Sequence, residues 1–469
     1  MIKLGFVSKK RSDIDMTEGS IWRHILRFAF PLLLGNIFQQ LYNTVDTWVV
    51  GNYVSDTAFS AVGTVGPIIN TLIGFFLGLS SGAGVVISQF YGAKKYDKVS
   101  ETVHTAILMT LILGVLFTGV GILMIPTMLG FIKMPEVVIP EATTYLTIYF
   151  SGIIGLMVYN IGAGILRAVG DSKRPFYFLV VSACINTVLD LLFVLVFKIG
   201  VAGVAYATII AQGISALLVV AVLVKNDSCV RLAFKKLKIH GESLSKIFRV
   251  GIPAALQNAI TSFSNVFVQS YINYFGDACM GGWTAYNKID QLMFLPVQSI
   301  SLASMTFVGQ NLGKGQVARA KKGVTTALLM ALSSMCLLMI PVIVFAPSLV
   351  AFFSKSTEII AYGTQFLQTI TPFYVFFCVN QIYPAALRGS GNSRAPMVIM
   401  LLSFVLFRQC YMYVVSNYIA NTVFLISMGY PAGWILCAAI TFVYYMKTDL
   451  SKGRLIDDAP SEEKSDAKA

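Results

Sequence analysis

Charge is scarce in this chain. Only 12% of its 469 residues are Asp, Glu, Lys or Arg, against about 25% in a soluble domain. A soluble protein of this length needs polar side chains to cover its outside, which excludes a soluble enzyme. Histidine is nearly absent, at 3 residues. The cysteines Cys184, Cys229, Cys279, Cys336, Cys378, Cys410 and Cys437 form no CxxC pair and lie mostly in apolar runs. A zinc site or a disulfide framework is therefore excluded, and the thiols read as small apolar residues. No cofactor is expected. A membrane-embedded enzyme would need a metal cluster or a nucleophile–base pair within the spans, and three scattered histidines do not supply one. A cleaved leader is not expected either: residues 1–27 carry six Lys/Arg and no uninterrupted apolar run before Phe28.

Apolar residues are what the chain has, at 56% and a mean hydropathy of +0.73. About 20 helical residues cross a hydrocarbon core, and twelve such stretches are predicted. They fall at 28–52, 61–88, 103–125, 143–166, 175–197, 201–224, 250–275, 284–308, 324–346, 363–386, 396–420 and 424–446. Helices alone satisfy their backbone polar groups span by span, so the fold class is an all-α polytopic membrane protein. Thirty of the 35 Lys/Arg then fall on one side. Lys133, Lys198 and Lys355 fall on the other, and Lys288 and Arg408 lie within spans. The positive-inside rule makes the crowded side cytoplasmic, with both termini there. The net charge of +13 is thus a topology signal, and nucleic acid is not an expected partner.

The sequence is also written twice. Leu166–Pro175 (LRAVGDSKRP) matches Leu387–Pro396 (LRGSGNSRAP) at a shift of 221, as Gln89–Lys94 matches Gln310–Gly315. Arg27 and Pro31 match Arg249 and Pro253 at a shift of 222. Each repeat holds six spans, an even number, so both copies insert the same way round. Two six-helix lobes related by a pseudo-twofold axis along the membrane normal follow, with a cavity between them. The expected domains are a cytoplasmic arm (1–27), an N-lobe (28–224), a basic linker (225–249), a C-lobe (250–446) and a disordered tail (447–469). The linker interleaves Leu232, Phe234, Leu237 and Ile239 with lysines, a pattern that suits either a membrane surface or solvent.

Polar residues inside apolar helices mark candidate sites. Asn36, Gln39, Asn43 and Asp46 share one face of the first span; Asn258, Ser262, Asn265 and Gln269 share one face of the seventh. Both stripes are expected to face the cavity, with interhelical hydrogen bonding as the alternative. Asp46 and Asp190 sit deep in spans, where a lone carboxylate is costly. Counting residues outward from the loops puts Asp46, Asp190 and Thr208 at one depth, with Asn186 and Asn160 just inside. Such a set suits either Na⁺ at the oxygens of Asp46, Asn186 and Asp190 or a proton shared by the acids. The second repeat has Val268, Tyr411 and Phe407 at the positions of Asp46, Asp190 and Asn186, so coupling chemistry is expected in the N-lobe alone. Asp290 is a candidate contact for a cationic substrate, or else a packing partner of Lys288. His104 reads as structural. Pro31 removes a backbone donor early in the first span and marks a candidate kink.

Phe30-Pro31, the run Tyr42–Asp46, the segment Gln89–Gly92 and the paired LRxxGxSxxP loops together resemble the MATE (multidrug and toxic compound extrusion) family. The likeness spans residues 16–446 and is greatest to the bacterial branch with an N-lobe Asp pair. The resemblance implies a secondary antiporter in the inner membrane. It would export small amphipathic or cationic drugs in exchange for H⁺ or Na⁺ by alternating access. It also implies a cation site at Asp46, Asn160, Asn186, Asp190 and Thr208, a first-helix kink at Pro31, and a protein that works as a monomer among membrane lipids. The rival reading, a lipid-linked precursor flippase, would want a groove rich in Arg and Lys. Only Lys288 and Arg408 lie within the predicted spans.

Overall fold

The computed structural model describes residues 15–132 and 134–456. The first fourteen residues of the arm, Lys133, and 457–469 of the tail lie outside them. Twelve long helical segments are present. The first lobe comprises α1 (Ile21–Tyr53), α2 (Asp56–Gly92), α3 (Tyr96–Phe131), α4 (Ile139–Ser151 with Ile153–Ala168), α5 (Lys173–Val196) and α6 (Val201–Val224). The second comprises α7 (Gly241–Asn273), α8 (Asp277–Gly313), α9 (Val317–Val344), α10 (Thr357–Gly389), α11 (Arg394–Ile419) and α12 (Val423–Lys447). Among the described residues nine are long and apolar enough to cross a membrane as single helices, and α4 makes a tenth across a 47° bend. The remaining two, α1 and α7, carry the polar stripes that dilute their apolar character.

The helices overrun the predicted spans by up to about two and a half turns, most of all α7, which starts at Gly241. α3, for example, starts at Tyr96, seven residues before the expected 103. Hydropathy sees only the apolar middle, whereas Lys, Asp and Glu continue a helix readily into the interfacial layer. The bend in α4 falls at Gly152, where a Cβ would lie 2.4 Å from Ile209 Cβ; that close approach was not visible in the sequence. Pro31 lies within α1, which the chain traverses without a break. Large apolar side chains such as Leu123 and Leu116 stand out on α3, at 79% and 55% exposure, as a lipid-facing surface requires.

The paired loops explain their own motif. Gly170 and Gly391 both take left-handed φ angles, 93° and 98°, ending α4 and α10 as helices commonly end. Asp171 Oδ1 then accepts from the backbone N–H of Lys173 and Arg174, and Asn392 Oδ1 from that of Ala395. Pro175 and Pro396 fall in the next first turn, where a missing donor costs nothing.

Small residues bring the lobes together. Gly78 and Gly82 of α2 cross Ala255 and Gly251 of α7, so that a Cβ on Gly78 would meet Ala255 N at 2.3 Å and one on Gly82 would meet Gly251 Cα at 2.6 Å. Small residues four apart allow such backbone contact between membrane helices. Closer to the base-rich ends, two glutamines tie the lobes. Gln89 Nε2 donates to the Gly389 carbonyl at 2.9 Å, and Gln310 Nε2 to that of Ala168 at 2.8 Å.

The chain ends cross between lobes. Met16, Ile25 and Phe28 are buried in the C-lobe core, and Met16 N donates to Gln310 Oε1 at 3.1 Å. Leu455 and Ile456 are buried among N-lobe residues, and Leu455 N donates to Gln89 Oε1 at 2.8 Å. This corrects the expectation of disorder from 447 onward, because residues 448–456 dock. The linker docks too: Val230 and Leu232 are buried under the N-lobe while Phe234 stays exposed. His104 holds it. His104 Nδ1 donates to the Ser100 carbonyl at 2.7 Å and Nε2 accepts from Ala233 N at 3.1 Å, so a single neutral tautomer satisfies both contacts.

Candidate functional site

α1 and α5 bring Asp46 and Asp190 together, with their carboxyl groups within hydrogen-bonding reach of each other. Asn186, one turn before Asp190, lies on the same face. Asp190 and Asn186 are buried. The cluster holds an unusual concentration of orphans. Apart from each other's carboxyl, Asp46 Oδ1, both Asp190 oxygens and both polar atoms of the Asn186 amide are buried with no hydrogen-bond partner among the described residues. Buried polar groups are ordinarily satisfied, and an unpaired carboxylate in a low-dielectric interior is costly. Four of these five atoms are oxygens, a donor set that suits a proton or a hard cation.

Asn160 and Thr208 are also buried but serve their own helices. Asn160 Nδ2 donates to the Leu156 carbonyl and Thr208 Oγ1 to that of Val204, both at 2.9 Å. Three tyrosines that sequence reasoning missed flank the acids. Tyr42 is within electrostatic reach of Asp46, and Tyr145 of both acids. Tyr149 stacks on Tyr145 with ring centroids 6.3 Å apart. Tyr42 sits four residues before Asp46 in sequence, which was a usable signal. Tyr145 and Tyr149 come from α4 and gave none. α5 turns π-helical at Leu192–Val196, directly after Asp190; such turns recur at functional positions.

Between the lobes lies a cavity of about 330 Å³, within the range of small-molecule sites. Asn36, Gln39, Asn160 and Asn258 line it, as does Pro31. Asn36 Nδ2 donates across the lobes to Ser299 Oγ at 3.4 Å, and Asn258 Nδ2 to the Gly74 carbonyl at 3.0 Å. The rest of the expected lining lies elsewhere. Asn43 is on the open part of α1. Asn265 Oδ1 accepts from Arg408 Nη2 at 2.9 Å, and Gln269 Nε2 donates to Asn273 Oδ1 at 2.7 Å. Residue spacing gave the helix face correctly, but the cavity spans only the inner part of that face.

Asp290 is likewise absent from the lining. The Tyr374 hydroxyl donates to it, and Tyr374 lies 3.5 Å from the Tyr286 hydroxyl, inside a cage that includes Trp283, Phe294 and Trp434. Lys288 is exposed and forms no ion pair with Asp290 among the described residues. Arg408 is bound to Ser264 and Asn265 and lies 4.8 Å over the Tyr430 ring. Arg167 and Arg388, which charge sorting placed in loops, occupy the last turns of α4 and α10 and face the cavity.

Comparison with known proteins follows the same duplication. The sequence model of the MatE family matches twice, over residues 31–192 and 253–414, two segments offset by 222 residues. The chain is 30% identical over 431 residues, 92% of its length and 96% of the relative's, to a "Probable multidrug resistance protein YpnP" of Bacillus subtilis. A "FAD transporter" of Shewanella oneidensis is 24% identical, covering 83% of this chain and 87% of that one. In fold, a MOP superfamily transporter from Pyrococcus furiosus superposes with a TM-score of 0.88 at 23% identity, covering 94% of this chain and 98% of that one. The twelve-helix, twice-written chain belongs to the MATE family of membrane transporters.

Proposed function

We propose that this protein is a secondary antiporter of the bacterial cytoplasmic membrane, with both termini inside. It exports amphipathic organic compounds in exchange for H⁺ or Na⁺. The likeness to a protein named for multidrug resistance supports efflux as the direction. The observation that carries the coupling reading is the set of buried, unpartnered polar atoms on Asp46, Asn186 and Asp190. Two carboxyl groups packed together cannot both stay ionised without a partner, so the pair takes up a proton, or a monovalent ion completes its oxygen set. Thr208 at the same depth and Asn160 just inside it would complete the set with their oxygens, since only their donors are used by their own helices.

The exchange works through differential affinity. With the lobes parted at the ends opposite the bases, substrate and cation compete for one arrangement of α1 and α5. Cation uptake neutralises the pair and favours the packing in which α1 closes on α5, which narrows the adjacent cavity. Pro31, in the cavity wall and without a donor to the previous turn, is where α1 can bend most cheaply. The cavity lining holds no acidic residue, so nothing in it favours cations as cargo, and one relative is named for carrying FAD.

The test is reconstitution in liposomes loaded with a fluorescent amphipath, under an imposed pH gradient and then an imposed Na⁺ gradient. Transport against the amphipath's own gradient under one of the two supports exchange. Passive equilibration under both contradicts it.

A further inference from the structure

The floor of the interlobe cavity carries two positive charges that the coupling account does not use. Arg167 ends α4 and Arg388 ends α10, at positions equivalent under the 221-residue repeat. Both line the cavity and both are only partly accessible. A guanidinium offers five N–H donors. Among the described residues neither side chain has a hydrogen-bond acceptor or an ion-pair partner, and Arg388 Nε is buried with nothing to donate to. The nearest acid in sequence, Asp171, is held by Arg174 at 3.4 Å. The cavity wall contributes no Asp, no Glu and no lysine.

The geometry points to an anion site: Arg167 and Arg388 together bind the phosphate or carboxylate of an amphipathic cargo, whose apolar body lies against Leu32, Phe176 and Leu179 higher in the cavity. Guanidinium forks match such planar or tetrahedral oxyanions better than any other side chain. This assignment rests on the reading of the cavity as the substrate chamber. It narrows the cargo to organic anions and zwitterions. It also gives the floor a link to the closed state, because each arginine precedes the residue whose carbonyl accepts an interlobe glutamine, Ala168 or Gly389.

Equilibrium binding to the purified full chain in nanodiscs tests this apart from transport. The probes share one ring system: 1-naphthyl phosphate and 1-naphthylmethylammonium. The expected result is a preference of at least tenfold for the phosphate. It should be lost in R167Q/R388Q and retained in R167K/R388K, which shows that the double variant fails for want of charge and not of folding. Equal or tighter binding of the ammonium probe, or a preference that survives R167Q/R388Q, overturns the assignment. Substituting phosphatidylglycerol for phosphatidylcholine in the discs separates the two sources of such an anion. Suppressed probe binding identifies a lipid head group as occupant, and unchanged binding a soluble solute. A protein that binds the phosphate yet shows no gradient-driven exchange would contradict the antiporter reading alone.

Discussion

At the residue scale, buried polar atoms sort by whether the fold satisfies them. Ser264, Gln89 and Gln310 have their buried side-chain atoms bonded to other elements, whereas Asp46, Asn186 and Asp190 hold buried atoms with no partner beyond each other's carboxyl. The first kind stabilises packing; the second is where we propose that the coupling ion fits. His104 belongs to the first kind. His104→Ala leaves the Ala233 N–H without its acceptor, which costs about 1–3 kcal/mol. Thermal unfolding should therefore start at a lower temperature. The pH profile of transport should not change, because the histidine takes no part in the proton path. A shifted profile would give it a role that its two contacts do not suggest.

At the element scale, α2 and α8 are the helices that close the base-rich side. Gln89 and Gln310 are equivalent under the repeat. Each donates to the end of a helix in the other lobe and accepts from a terminal segment of the chain. Gly92 and Gly313 permit the approach, since a Cβ on either would fall about 2 Å from the carbonyl of Gln310 or Gln89. Each lost hydrogen bond contributes about 0.5–1.5 kcal/mol, so Q89A/Q310A, which removes two interlobe bonds, should raise the population open on this side by at least about tenfold. A cysteine at Ala385, in the cavity wall, would report it through faster labelling by an impermeant thiol reagent applied from the base-rich side, in a background free of other cysteines. Unchanged labelling would mean that the glycine contacts alone hold the closure. The sequence showed these glutamines only as marks of duplication. Their pairings join residues 300 and 142 apart, beyond any local pattern.

At the scale of the whole molecule, the architecture was legible because two independent regularities agree. The bases alternate sides only if there are twelve spans, and the 221-residue shift divides those spans evenly. Depth counting along straight helices put Asp46, Asp190 and Thr208 at one level with Asn186 and Asn160 just inside, and the two carboxyl groups do meet. Face spacing did not place Asn43, Asn265 and Gln269 in the cavity, and Asp290 also lies outside its lining, because sequence spacing gives a face of a helix but not where a cavity ends. Arg167 and Arg388 were counted as topology signals, since a base at a span's edge looks the same whether it points to solvent or into a cavity. Residues 448–456 looked disordered from their polar composition, though Leu455 and Ile456 were enough to dock them. The central proposal is that one lobe carries the coupling site. The direct measurement is efflux by reconstituted D46N and D190N under the gradient that drives the wild type. Loss of driven transport in both, with substrate binding retained, is the predicted result. Wild-type rates in both variants would contradict it.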